Sequence, residues 1–463
     1  MNFLHAVYHW VWGVPTLVLI LSVGLYLSVR TGFAQLRLLP RALRLFFSRL
    51  SGKRENGSGV SSFQALCTAL AATVGTGNLA GVAGAIAIGG PGAVFWMWLC
   101  GILGMVIKFS EAALAIHYRS KNADGEWVGG PMYMIQTGLP KAFRPLGTVY
   151  AFFGVVAAFG VGNATQINTV LSAVSDTAAA FGCPLPLWGK LMLGILLAAL
   201  IGAMLLGGAR RIGRAAELLV PFGAGVYLLL GLTVLIARWQ AIPAAFSAII
   251  SGAFHPQAVT GGAVGSMLIA LRTGVSRGVF TNEAGMGTAS IAHAAAAVDH
   301  PAQQGMMGIV EVFLDTIVIC TVTALVILLS GVPIPYGTDA GITLTTAAFS
   351  NVLGPWVGIV ITASLCLFAL ATVLGWGLYG LRCAQFLFGG TAWRPFAWLQ
   401  IAVVVLGAVL RADAVWLLAE IVNGLMAIPN LIALGALSPR LISIYKSYIN
   451  GGTYENFHQC QSL

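Results

Sequence analysis

Eleven long apolar runs dominate this sequence and restrict its fold more than any other feature. They fall at 12–31, 64–88, 91–117, 146–180, 187–207, 214–237, 260–296, 302–331, 355–387, 394–411 and 414–436. A helix crossing a bilayer needs roughly 20 mostly apolar residues, because each residue rises only about 1.5 Å. Lipid offers the backbone no hydrogen-bond partner, so a spanning segment must satisfy its own amides and carbonyls. Barrel strands would read as short segments of alternating polarity, whereas these runs are continuous. The expected fold class is an all-α membrane protein of about 11 transmembrane helices. The composition agrees: 8% of residues are charged, against roughly a quarter in soluble domains. An ordinary soluble enzyme, a disordered chain and a disulfide scaffold are excluded on the same ground.

The formal charge of +10 does not point to nucleic acid. Lys and Arg sit in short connectors between apolar runs, with no basic face interleaved with aromatics, so no nucleic-acid partner is expected. They read as topology signals. Placing the N-terminus outside leaves only Lys190, Arg238 and Arg411 in outer segments, which puts the C-terminus inside. The expected location is the cytoplasmic membrane. No basic segment precedes the first run and no small-residue cleavage site ends it, so it reads as a retained helix. In 32–50, Phe33, Leu36, Leu39, Leu43, Phe46 and Phe47 alternate with arginines, the pattern of a helix lying on the inner surface. The connectors 32–60, 118–145, 238–259 and 332–354 are too short for a soluble domain. The seven cysteines are scattered, with no CxxC, and read as small core residues.

Two runs contain sequence that a spanning helix should avoid. In the second, Thr73-Val74-Gly75-Thr76-Gly77-Asn78 falls at mid-membrane depth. Glycine weakens a helix interior, and unwound backbone survives in a bilayer only inside protein or against a cavity. A break here presents the positive end of a half-helix, suited to a carboxylate, with Asn78 placed to cap it. It also leaves carbonyls that attract a cation. One such motif alone fits close helix packing equally well. The seventh run supplies a second: Phe280-Thr281-Asn282-Glu283-Ala284-Gly285-Met286-Gly287. Setting the first run aside leaves ten, divided as 2–6 and 7–11. Five is odd, so two consecutive halves must be inverted. Paired interruptions in matching places point to a transporter site.

Ionisable groups inside a bilayer are costly and usually paired or functional. Lys108 and Glu111, three apart on one helix, are expected to pair locally. Glu311 and Asp315, four apart, need a cation, a proton or an arginine, with Arg272 and Arg277 as possible partners. His293 reads as a hydrogen-bonded core histidine, with a proton relay as the alternative. Gln166 offers an amide able to meet an ammonium or a carboxylate. Trp376, flanked by glycines, is shaped to fill a small pocket, and Thr372 offers a hydroxyl to a hard cation. No histidine, cysteine and carboxylate cluster at catalytic or metal-ligand spacing, so no enzyme and no cofactor is expected.

The motifs already quoted, together with Gly89-Gly90-Pro91-Gly92-Ala93, Phe95-Trp96-Met97-Trp98 and Gly129-Gly130-Pro131-Met132-Tyr133, closely resemble the alanine or glycine:cation symporter family. The motifs occur in order across nearly the whole chain. Val74-Gly75-x-Gly77-Asn78 also resembles the first broken helix of the leucine-transporter-type fold. The resemblance implies a 5+5 inverted-repeat core with one extra N-terminal helix. The layout is then 12–31 as the extra helix, 32–50 on the inner surface, 61–237 and 260–437 as repeats, and 438–463 as a cytoplasmic tail. It implies import of alanine and/or glycine driven by sodium as coupling ion. The amides of Gly75, Thr76 and Gly77 would hold the substrate carboxylate, with Ala72, Asn78, Gln166, Phe280, Asn282 and Trp376 around the substrate. Sodium would sit among the Ala71, Val74 and Ala369 carbonyls and the Thr372 hydroxyl. Two residues depart from relatives of this fold, since Val373 and Ala72 offer no polar side chain. Proton coupling through Glu283, Glu311 or Asp315 is the alternative within transporters, and an ion channel the alternative outside them.

Overall fold

The computed structural model describes residues 4, 7, 10–50, 60–123, 125–180, 182–338, 340–408 and 413–452. The expected tail beyond 452 and the end of the tenth run at Arg411 lie outside these. The structure is helical throughout, apart from two pairs of two-residue strands. The first apolar run is α1 (Val14–Arg30). Gly32 and Phe33 then take left-handed backbone, and the chain turns by 80° into α2 (Ala34–Leu50). The elbow is pinned where Gln35 Nε2 donates to Ser28 Oγ at 2.8 Å. α2 is amphipathic as expected, but the side seated on the protein is Ala34, Gln35, Leu38 and Ala42. Leu36 and Phe47 are exposed with Arg37, Arg41 and Arg44.

The second run is broken into α3 (Ser62–Thr73) and α4 (Val82–Gly89), joined by a π-helical turn at Gly77–Gly81 and bent by 51°. Ser61 and Gln64 form a capping box at the start of α3, satisfying two amides that no helix can satisfy itself. The tight reversal at Gly90 leads into α5 (Ala93–His117), the most buried of the long helices. α6 (Pro131–Gly138) follows a small hairpin, β2 (Ser120–Lys121) with β3 (Trp127–Val128). The fourth run is α7 (Arg144–Phe159) and α8 (Thr165–Ala180), continuous through a π turn at Gly160–Ala164. α9 (Leu187–Leu205) and α10 (Gly208–Ala237) are long and apolar, with many exposed leucines and isoleucines.

The connector 238–259 contains a helix, α11 (Ile242–Phe254). A short α12 (Pro256–Thr260) follows. The seventh run is not helical from 261 to 266. Gly261 and Gly262 take positive φ, and Ser266 caps α13 (Met267–Asn282) by accepting from Ile269 N–H. After the bend at Glu283–Gly287 comes α14 (Thr288–His293). β4 (Ala296–Ala297) then pairs in parallel with β1 (Val60–Ser61). The eighth run is α15 (Pro301–Val312), a π-helical stretch Phe313–Cys320, and α16 (Thr321–Leu329). α17 (Gly341–Leu353) fills most of the connector 332–354, and its Thr345 Oγ1 donates to Leu79 O at 2.8 Å. The remaining elements are α18 (Val357–Phe388), α19 (Trp393–Gly407), α20 (Asp413–Ala436) and α21 (Ser438–Ile449). In the last, Leu441, Ile442, Ile444 and Tyr445 are buried against the protein, so this segment folds back.

Among the described residues, six helices are long and apolar enough to cross a membrane, and up to nine spans result if each bent pair counts once. The expected eleven falls short of this test at two runs. The seventh is shortened by its break, and α19 is 15 residues long. Packing divides the molecule. α5 lies mainly against α13 and α15, whereas α18 lies mainly against α7, α8, α10 and α3. The broken helix α3–α4 touches both groups.

Candidate functional site

The break in the second run is shaped by its own sequence. The last helical bond of α3 is Val74 N–H to Leu70 O at 2.8 Å. Val74 then becomes extended at φ −74° and ψ 107°. The next amide would bond the Ala71 carbonyl in a continuous helix. Instead, Gly75 N–H donates to Asn78 Oδ1 at 2.8 Å. Carbonyls at the end of α3 are thereby released. Thr76 and Gly77 begin a new helical turn, whose first amides have no partner within the helix.

Asn78 therefore does not cap the second half-helix from outside, as expected; it reaches back to the first. Its other end, Nδ2, donates to Asp315 Oδ1 at 2.7 Å. Asp315 Oδ2 accepts from Thr316 Oγ1 at 2.8 Å, and Thr316 Oγ1 accepts from Asn282 Nδ2 at 3.1 Å. Asn282 Oδ1 in turn takes the Ala284 N–H at 2.9 Å. Asp315, on the π turn of the eighth run, thus joins the two breaks through a continuous chain of hydrogen bonds.

The second break is held from α5. Glu111 Oε1 accepts from Gly285 N–H and Gly287 N–H, both at 3.0 Å, and from Asn430 Nδ2 at 2.7 Å. This corrects the expected local pair of Lys108 with Glu111. Lys108 Nζ bonds Glu311 Oε1 at 2.8 Å, and His293 Nε2 lies 3.0 Å from Glu311 Oε2. Glu311 is therefore held by Lys108 and His293, and the partners proposed for it at Arg272 and Arg277 are not the ones found. Gln304 Nε2 lies 2.6 Å from His293 Nδ1. His293 is thus hydrogen-bonded through both ring nitrogens in the core.

The two breaks meet. A methyl placed on Gly77 would sit 3.0 Å from Thr281 Cγ2 and 3.6 Å from the Phe280 ring. On the other side, the hydroxyl of Thr372 faces Gly75, 3.1 Å from where a Cβ would stand. Between them lies a small cavity with room for little more than one water. The first break lines it with Ala72, Thr73, Gly75, Thr76 and Gly77. The π turn and α8 add Val161 and Gln166, the second break adds Phe280 and Glu283, α18 adds Thr372 and Trp376, and α20 adds Asn423. Gly162 leaves the space that Trp376 fills, since a Cβ there would overlap the indole. Gln166 Nε2 donates to Val161 O at 3.1 Å, and its Oε1 is buried without a donor.

Of the residues expected around a substrate, Ala72, Gly75, Thr76, Gly77, Gln166, Phe280 and Trp376 line this cavity, and Asn78 and Asn282 do not. Of the four expected around a cation, Thr372 lines it. Ala71 and Val74 belong to the unravelled end of α3, and Ala369 lies one turn before Thr372 on α18. Thr73, Val161, Glu283 and Asn423 line it without having been assigned there. Asn423 was detectable as an amide within an apolar run. Glu283 was visible as a carboxylate in the break, but its direction was not.

The profile of the sodium:alanine symporter family matches residues 1–459. The chain belongs to this family. It is 44% identical over 452 residues to the sodium/alanine symporter AgcS of Methanococcus maripaludis, covering 97% of each chain. It is 38% identical to the probable sodium/glutamine symporter GlnT of Bacillus subtilis, covering 94% of this chain and 88% of the relative. Its fold is similar to that of MhsT, solved in complex with L-phenylalanine. The TM-score is 0.58 at 15% identity, covering 84% of this chain and 99% of that one. This member of the sodium:alanine symporter family is thus a multi-pass membrane transporter for amino acid with a cation, and not an enzyme.

Proposed function

We propose that the protein imports a small neutral amino acid, alanine and/or glycine, together with sodium across the cytoplasmic membrane by alternating access. The observation that carries this reading is the small cavity between two broken helices, lined by Thr76 and Gly77 of the first break and by Gln166, whose Oε1 is buried without a donor. On this reading the cavity widens to admit an amino acid. A half-helix start favours a carboxylate, and an acceptor without a donor favours an ammonium. Trp376 and Phe280 crowd the space, which favours a side chain no larger than a methyl. The names of the relatives AgcS and GlnT support the pairing of sodium with a neutral amino acid.

The cation belongs, on this reading, among the carbonyls of Ala71, Val74 and Ala369 and the hydroxyl of Thr372. The amide that would occupy Ala71 O is diverted to Asn78, which supports this placement. Val373 brings no second hydroxyl. Sodium would order the first break and so complete the substrate site, and each ligand then raises the affinity of the other. The 5+5 arrangement, 61–237 and 260–437 after an extra helix at 12–31, makes α3–α4, α5, α13–α14 and α15–α16 the moving body. The N-terminus lies outside. Purified protein in liposomes tests the reading: labelled alanine accumulates when an inward sodium gradient is imposed, and accumulation stops when choline replaces sodium at fixed pH. Accumulation that continues in choline and follows a proton gradient would replace sodium by protons.

A further inference from the structure

Glu283 is the one carboxylate on the cavity wall among the described residues. It occupies left-handed backbone at φ 53°, which among described non-glycine residues only Phe33 shares. Such strain persists where the surroundings enforce it, and it collects at functional sites. Its two oxygens both accept: Oε1 from Trp376 Nε1–H at 3.1 Å and Oε2 from Thr288 Oγ1–H at 2.6 Å. An indole N–H only donates. Each oxygen thus has one partner within the protein.

Among the described residues, no lysine, arginine or histidine forms an ion pair with Glu283, and the buried ammonium of Lys108 is committed to Glu311. A carboxylate buried in a membrane protein is costly until a positive charge meets it. The open space beside this one is the cavity, which it lines. We infer that Glu283 receives the ammonium group of the substrate and selects zwitterions. This rests on the reading of the cavity as an amino-acid site. The substrate carboxylate lies against the first break, and its ammonium donates to Glu283 and to Gln166 Oε1. Each Glu283 oxygen retains acceptor capacity beyond the bond it already makes. A solute of the same shape without an ammonium leaves Glu283 unpaired. An acidic amino acid adds a second negative charge beside it.

Binding to the full-length protein in detergent, measured calorimetrically at saturating sodium, tests this with alanine and with lactate, in which a hydroxyl replaces the ammonium. Wild type is expected to bind alanine at least about a hundredfold more tightly than lactate, because a site built for a charged partner rejects the analogue lacking it. Equal binding of the two overturns the inference without any variant. Glu283→Gln is expected to weaken alanine by about tenfold or more, the scale of a lost charge-assisted bond, with lactate unchanged and sodium binding in the absence of amino acid retained. Alanine binding within twofold of wild type overturns the assignment. So does loss of sodium binding by itself, which would make Glu283 a metal ligand. A wild type that binds no neutral amino acid sinks the reading of the cavity itself, and the inference with it.

Discussion

Lys108 and Glu311 form an ion pair buried between α5 and α15, with Nζ 2.8 Å from Oε1 and both side chains almost wholly enclosed. His293 on α14 bonds the other carboxylate oxygen, and Gln304 links His293 to Ser62 at the start of α3. One polar chain therefore ties four runs that are remote in sequence. It explains why the elements around the breaks pack as one group.

Removing one partner leaves an uncompensated buried charge. Lys108→Met is expected to cost about 3–5 kcal/mol, read as a lowered thermal midpoint in detergent. The double variant Lys108→Met/Glu311→Gln should recover most of that loss, because no charge is then stranded. A double variant as unstable as the single one would show that the pair itself, and not the stranded charge, holds the helices.

Asn78 joins the two halves of its own broken helix to Asp315. Asn78→Ala strands Gly75 N–H and Asp315 Oδ1, so a loss of about 2–4 kcal/mol is expected, one to two unsatisfied buried groups. Sodium-dependent alanine uptake should vanish before the fold does. Wild-type uptake in this variant would mean that the break keeps its shape by other contacts.

The contact of Gly77 with Thr281 sets how closely the breaks approach. Gly77→Ala places a methyl 3.0 Å from Thr281 Cγ2, tighter than most real side-chain contacts, so the second break must give way slightly. Uptake should fall by about tenfold, less than the roughly hundredfold that a misplacement of about 1 Å can cost at a site. Adding Thr281→Ser removes Cγ2 and keeps the hydroxyl bond to Gly278 O. It should restore much of the uptake, as measured by initial rates in proteoliposomes.

Thr372 Oγ1 donates to Phe368 O at 3.0 Å and faces the first break. Thr372→Val should change stability without sodium by only about 1 kcal/mol, the net worth of one such bond. The stimulation of alanine binding by sodium should be largely lost. A variant with full sodium stimulation would place the cation elsewhere.

The interruptions themselves were legible. Gly75, Gly77, Asn78, Gly285 and Gly287 break local helix rules inside apolar runs, and local rules can be read along the chain. The helices inside connectors were harder. α11 and α17 are too short to register as spans, and α21 buries a face that has meaning only against α5 and α15. Lys108 was assigned to Glu111 because three residues of separation is a short-range signal, whereas Glu311 lies 203 positions away.

Apolar length, glycine and asparagine placement and loop charge were enough to determine a helical membrane transporter with two breaks. Those properties depend on backbone energetics within one or two turns. Which polar group faces which was decided only by the packing. Asn78 turned to Gly75 and Asp315, Glu111 to the Gly285–Gly287 loop, and Glu283 to Trp376 and the cavity, because each buried polar atom takes the partner that remote helices bring to it.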